Sequence, residues 1–128
     1  MALERKEYVI APTGPNYSRA VKAGNTLYIS GCTARGTDTQ GKSMMDQLEV
    51  TLNRLVSIAA EEGVGPGNFA KLTCFVTSMA DYKADPQQME ALFAKYFEGQ
   101  YPANSLVEIT ALAEPGLDVE IEAVVILD

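Results

Sequence analysis

Asp118-Val119-Glu120-Ile121-Glu122-Ala123-Val124-Val125-Ile126-Leu127 is the stretch that decides the fold. Its polar and apolar residues alternate as they do in a β-strand, where successive side chains leave on opposite faces. Val119, Ile121, Ala123 and Val125 share one side, which suits a sheet face covered by helices. The other side carries Glu120 and Glu122, then Val124 and Ile126. β-branched residues gain little on a solvated face. An apolar patch edged by carboxylates therefore reads as a buried subunit contact beside a polar pocket.

Working back from this strand, the turn Glu114-Pro115-Gly116 separates it from another strand over 105–110. Before that, Asp85 offers an N-cap, with Pro86 at the first helical position and Gln88 three residues after the cap. The helix that follows should carry Met89, Leu92, Phe93 and Tyr96 inward until Gly99. Leu72, Cys74 and Val76 alternate with Thr73, Phe75 and Thr77 as a strand, after the loop Gly63-Val64-Gly65-Pro66-Gly67-Asn68. Met45, Leu48, Leu52, Leu55 and Ala59 step by three and four, which predicts an amphipathic helix capped by Ser43 and stopped near Gly63. Gly24-Asn25 is a turn between strands over 20–23 and 26–30. The order is β-β-β-α-β-α-β-β, an α+β domain in which two helices cover one face of a mixed sheet. Residues 1–128 read as one domain, with no internal repeat.

Composition narrows the function. The chain of 128 residues is 47% hydrophobic and 21% charged, as folded proteins are, and no apolar run approaches the length of a membrane span. Glu4, Arg5, Lys6 and Glu7 stand where a secretory signal has its apolar core, so cytoplasmic residence is expected. Cys32 and Cys74 are expected as free thiols. The chain has no histidine, which removes the commonest general base and zinc ligand. No metal site and no Ser-His-Asp triad are expected. A net charge of −7 with scattered Lys and Arg argues against a nucleic-acid partner.

Several short stretches, taken together, resemble the reactive intermediate deaminase (Rid, YjgF-like) family. They are Gly14-Pro15-Asn16-Tyr17-Ser18-Arg19-Ala20-Val21, Ala23-Gly24-Asn25-Thr26-Leu27-Tyr28-Ile29-Ser30-Gly31, Tyr101-Pro102-Ala103-Asn104-Ser105 and Val119-Glu120-Ile121-Glu122-Ala123. Asp81-Tyr82 and Phe93-Ala94-Lys95-Tyr96-Phe97 lie between them, so the likeness covers nearly the whole chain in order. It implies a chorismate-mutase-like homotrimer whose sheets form a central barrel, with pockets between subunits. It also implies hydrolysis of reactive imines and enamines to a carbonyl compound and ammonia, without cofactor or metal.

By the same resemblance, Glu120 matches the family's water-positioning glutamate and is the candidate catalytic residue. Tyr17, Ser30, Gly31, Asn104 and Leu106 are the candidate substrate-binding residues. Asn16 is an insertion relative to the usual Gly-Pro-Tyr-Ser. The main departure is Asn104, where deaminating members carry an arginine that grips the substrate carboxylate in a bidentate pair; an amide supplies no charge. Leu106 and Glu90 replace a frequent cysteine and a frequent asparagine. The expected function is an imine or enamine hydrolase with an atypical substrate. The alternative is a non-catalytic small-molecule binding or regulatory protein of the same fold. Arg19 and Arg35 are the nearest other cations by motif position, and each is expected as a solvated surface charge, with Arg35 able to swing toward a pocket.

Overall fold

The structure, a computed structural model, describes residues 2–128. Its strands are β1 (Leu3–Lys6), β2 (Ala20–Ala23), β3 (Thr26–Cys32), β4 (Phe69–Val76), β5 (Ala103–Glu108) and β6 (Val119–Ile126). The helices are α1 (Met44–Glu61), the single turn α2 (Met79–Tyr82) and α3 (Pro86–Phe97). The sequence left the first strand without bounds, and it proves to be the N-terminal segment. Together the strands make one six-stranded sheet in the order β1-β2-β3-β6-β4-β5. Only β4 and β5 run parallel, because α3 carries the chain back between them. This is the expected α+β architecture, a mixed sheet with two main helices.

The caps act as the sequence predicts. Ser43 Oγ accepts from the Asp46 amide, and Asp85 Oδ1 accepts from the Gln88 amide. The final strand is two-faced as read: Val119, Ile121, Ala123 and Val125 are buried under α1, whereas Ile126 and Glu122 are exposed on the far side.

The faces of the helices differ from the expectation. On α1 it is Met44, not Met45, that is fully inward, and Gln47, Thr51 and Arg54 are buried beside Leu48, Leu52 and Leu55. On α3, Leu92 and Phe97 are buried, while Met89, Phe93 and Tyr96 are only partly so. Phe97 meets Phe69 edge-on with ring centroids 5.5 Å apart.

The buried polar residues of α1 tie down the loops around one end of the sheet. Gln47 Nε2 donates to the Lys42 and Gly116 carbonyls at 3.0 Å, and its Oε1 accepts from the Asp118 amide at 2.9 Å. The entry to β6 is thereby held against the start of α1. One helical face further on, Arg54 donates to the carbonyls of Ile10 and Thr33 at 3.1 and 2.6 Å. Both side chains satisfy buried backbone acceptors that would otherwise be costly.

Candidate active site

β3 is irregular where it meets β6. Ile29 pairs with Ala123 and Cys32 with Ile121, so Ser30 and Gly31 together face the single residue Glu122. Such a bulge bends the strand and re-aims its neighbours. Glu120 lies against it. A Cβ placed on Gly31 would fall 2.5 Å from the Glu120 carboxyl carbon and 2.8 Å from its Oε1. Glycine is therefore required here to let a carboxylate rest on the backbone. Burial raises the pKa of Glu120, with Glu122 acting in the same direction and Arg19 against it.

Tyr17 is seated in the same way. A Cβ on Gly14 would fall 2.6 Å from the Tyr17 ring, so this glycine makes room for the aromatic face. The Arg19 guanidinium lies 5.5 Å from the ring centroid. The Tyr17 hydroxyl is 3.5 Å from Arg35 Nη2. Ser30 has a different part: its hydroxyl donates to the Ser18 carbonyl at 2.7 Å, and its amide to the Arg19 carbonyl at 2.9 Å. It ties the motif segment to β3.

These residues line one cleft of about 380 Å³, together with Arg19, Arg35 and Arg54, Cys32 and Glu122. Arg19 corrects the sequence reading: it is 3% exposed and is no surface charge. It donates to the Pro12 carbonyl at 2.9 Å and the Gly31 carbonyl at 2.6 Å. Arg35 does reach the cleft, with its Nη1 3.6 Å from Glu114. Arg54 was not singled out by the sequence reading; a cation at a helical position on the apolar side of α1 was the available signal. The Cys32 thiol is pushed up to about 11 by burial, so it is protonated at neutral pH and is no nucleophile.

Asn104 and Leu106 lie elsewhere. In register, Asn104 sits beside Leu72 and Leu106 beside Cys74, which places both on the helix side of the sheet. The Cys74 thiol donates to Asn104 Oδ1 at 3.4 Å. Asn104 borders a larger, mainly apolar cleft of about 850 Å³ with Tyr82, Met89, Glu90, Phe93 and Tyr101. β5 is also the far edge strand, separated from β3 by β6 and β4. Within one chain, then, Tyr17, Ser30, Gly31 and Glu120 come together, and Asn104 and Leu106 do not join them. Among the described residues, no group of three or more His, Cys, Asp or Glu side chains could hold a metal ion. Among the described residues, no helix is long and apolar enough to cross a membrane.

The chain is similar to known proteins in sequence and in fold. The family model described as endoribonuclease L-PSP matches residues 9–127. A relative named Reactive Intermediate Deaminase A, chloroplastic, from Arabidopsis thaliana is 31% identical over 105 residues, which is 80% of this chain and 54% of that protein. A 2-iminobutanoate/2-iminopropanoate deaminase of Dermatophagoides farinae is 27% identical over 120 residues, covering 91% of this chain and 89% of the relative. Among solved structures, RidA from an Antarctic Psychrobacter superposes with a TM-score of 0.81 at 25% identity, over 97% of this chain and 99% of that one.

Proposed function

The chain belongs to the endoribonuclease L-PSP family, the YjgF/Rid proteins, and from that premise we propose that it hydrolyses reactive imines and enamines at the Glu120 cleft. The observation that carries this reading is the half-buried Glu120 carboxylate resting on Gly31, with its pKa raised by burial. A carboxylate so placed suits proton transfer to and from a bound water.

The proposed step is simple. Glu120 takes a proton from water as the oxygen bonds to the imine carbon, and the C=N electron pair moves to nitrogen. Glu120 returns that proton to nitrogen, giving a carbinolamine. It then relays the hydroxyl proton to the amine nitrogen as the oxygen closes a C=O bond and the C–N bond breaks with its electron pair going to nitrogen. A carbonyl compound and ammonia leave, and Glu120 is again ionised. An imine is already electrophilic, so positioning and one acid-base group suffice. Cofactor and metal have no part in these steps. Ribonuclease activity is disfavoured by the net charge of −7 and the absence of histidine.

Oligomerisation belongs to the same proposal. Val107, Tyr28 and Ile126 are exposed on the face that α1 leaves open, as suits a subunit contact. Asn104 can meet Glu120 only when β5 of one subunit lies against the β3–β6 end of its neighbour. A homotrimer with pockets between subunits supplies that juxtaposition. The substrate is atypical in that its anchoring does not rest on a cation at residue 104.

Two outcomes test this reading. Incubation with 2-iminopropanoate and 2-iminobutanoate, formed in the assay mixture, should release keto acid faster than buffer does. Asn104→Arg should raise that rate further by placing a guanidinium at the shared pocket; an unchanged rate counts against the intersubunit arrangement. Binding without turnover would favour a non-catalytic binding protein, the reading that the loss of the arginine at Asn104 also motivates.

The pH dependence follows from the direction of the Glu120 shift. As a base, Glu120 works only when ionised, so kcat/KM should rise with pH through an apparent pKa above the ordinary glutamate range. Stability should move oppositely in that window, because the native chain still holds a proton that the unfolded chain has released. A pH-rate profile and urea midpoints across the same range check both signs.

A further inference from the structure

We infer that the Glu120 cleft contains an anion subsite built from Arg35 over the buried pair Arg19 and Arg54, and that it takes a small monocarboxylate in place of the cation missing at residue 104. It rests on the reading of this cleft as the site of reaction, and names the group that holds the ligand there.

Three guanidiniums line a cleft of about 380 Å³ in a chain whose net charge is −7. Arg19 and Arg54 are 3% and 7% exposed. Among the described residues, neither has a carboxylate within ion-pair distance; their recorded partners are backbone carbonyls. Arg19 feels the Glu120 charge without an ion pair to it, and a buried cation with no direct ion pair is costly. Arg19 also keeps a buried Nε with no hydrogen-bond partner, although a guanidinium has five N–H donors to place. Burial holds the Arg54 guanidinium below its ordinary value, with Cys32 acting against the shift and Arg19 and Arg35 adding to it. Arg19 and Arg35 thus both act on Arg54, and an anion in the cleft opposes that repulsion.

Arg35 is the member able to touch a ligand. Its side chain is 27% exposed, and its ion pair to the partly exposed Glu114 is 3.6 Å long. Exchanging such a contact for a ligand costs little, since a solvent-exposed ion pair is screened and contributes little. Tyr17, 3.5 Å from Arg35 Nη2, adds a flat wall. The two glutamates of the cleft, Glu120 and Glu122, select against multiply charged anions. They favour a ligand that is anionic at one end and neutral or cationic at the other.

Calorimetric titration with 2-oxobutanoate and with its uncharged methyl ester tests the subsite without requiring turnover. The wild-type protein should bind the carboxylate and discriminate against the ester. Arg35→Ala should weaken carboxylate binding by roughly tenfold or more, the scale of a charged hydrogen bond, and remove the discrimination. Arg35→Lys should recover part of it, because it restores charge but not the planar fork. Lys83→Ala, which removes an exposed cation outside the cleft, should leave affinity within about twofold. Equal affinity in wild type and Arg35→Ala, absence of carboxylate binding, or a loss in Lys83→Ala as large as that in Arg35→Ala overturns the inference. Arg35-dependent binding without imine turnover would instead sink the proposed reaction and leave the subsite standing. Turnover with an indifferent Arg35 would do the reverse.

Discussion

Glu120→Gln should lower the proposed imine hydrolysis by about 10²–10⁴-fold, the usual contribution of a positioned general acid-base group, while the fold persists. The amide matches the carboxylate in shape, and the residue lies near the start of β6, where its backbone pairing with Phe75 is unaffected. The side chain also occupies an environment that disfavours its charged form, so replacing it with a neutral group removes a desolvation penalty. The unfolding midpoint at neutral pH should therefore equal or exceed the wild-type value. Loss of activity accompanied by a lowered midpoint would point to a structural part for Glu120. Retained activity would remove it from the chemistry.

Gly31→Ala should come close to the same loss by a different route. The added methyl carbon meets Glu120 at its Cδ, Cγ and Oε1, at 2.5, 2.7 and 2.8 Å. All three atoms belong to the flexible end of one side chain, and Gly31 is not among the residues with positive φ. The backbone accepts alanine, and the carboxylate is what moves. Stability should change by no more than about 1 kcal/mol, as substitutions without core or backbone damage do. Activity should fall at least a hundredfold. Because both substitutions act through one carboxylate, Gly31→Ala combined with Glu120→Gln should be no slower than Glu120→Gln alone. Additive losses would mean that Gly31 serves the reaction in some other way.

The fold was legible wherever periodicity and punctuation agreed. The alternation from Val119 to Ile126, the caps Ser43 and Asp85, and the turn at Gly24-Asn25 are all local signals, and each appears where it was read. The inward residues of α1 were harder to read. Gln47 and Arg54 are polar, so hydrophobic periodicity assigns them no face, yet both are buried because they bond carbonyls from loops distant in sequence. Arg19 was misplaced for the same reason: its partners are the Pro12 and Gly31 carbonyls, and nothing in a run of residues reveals such acceptors.

The site was legible in part. The motif series pointed to Tyr17, Ser30, Gly31 and Glu120, and these four do line one cleft. It could not separate Asn104 and Leu106 from them, because strand order and the side of the sheet are set by tertiary pairing. The cationic side of the cleft also emerged only in three dimensions. Three arginines, spread over 36 residues of sequence from Arg19 to Arg54, converge on a single carboxylate-bearing cleft.

The most direct test of Glu120-dependent chemistry is the initial rate at which 2-iminobutanoate becomes 2-oxobutanoate and ammonia, followed side by side in buffer, wild-type protein and Glu120→Gln. Wild-type protein should accelerate the reaction, and Glu120→Gln should return it nearly to the buffer rate. A wild-type rate no faster than buffer, or a Glu120→Gln rate equal to wild type, would contradict the assignment of this cleft as the place where imines are hydrolysed.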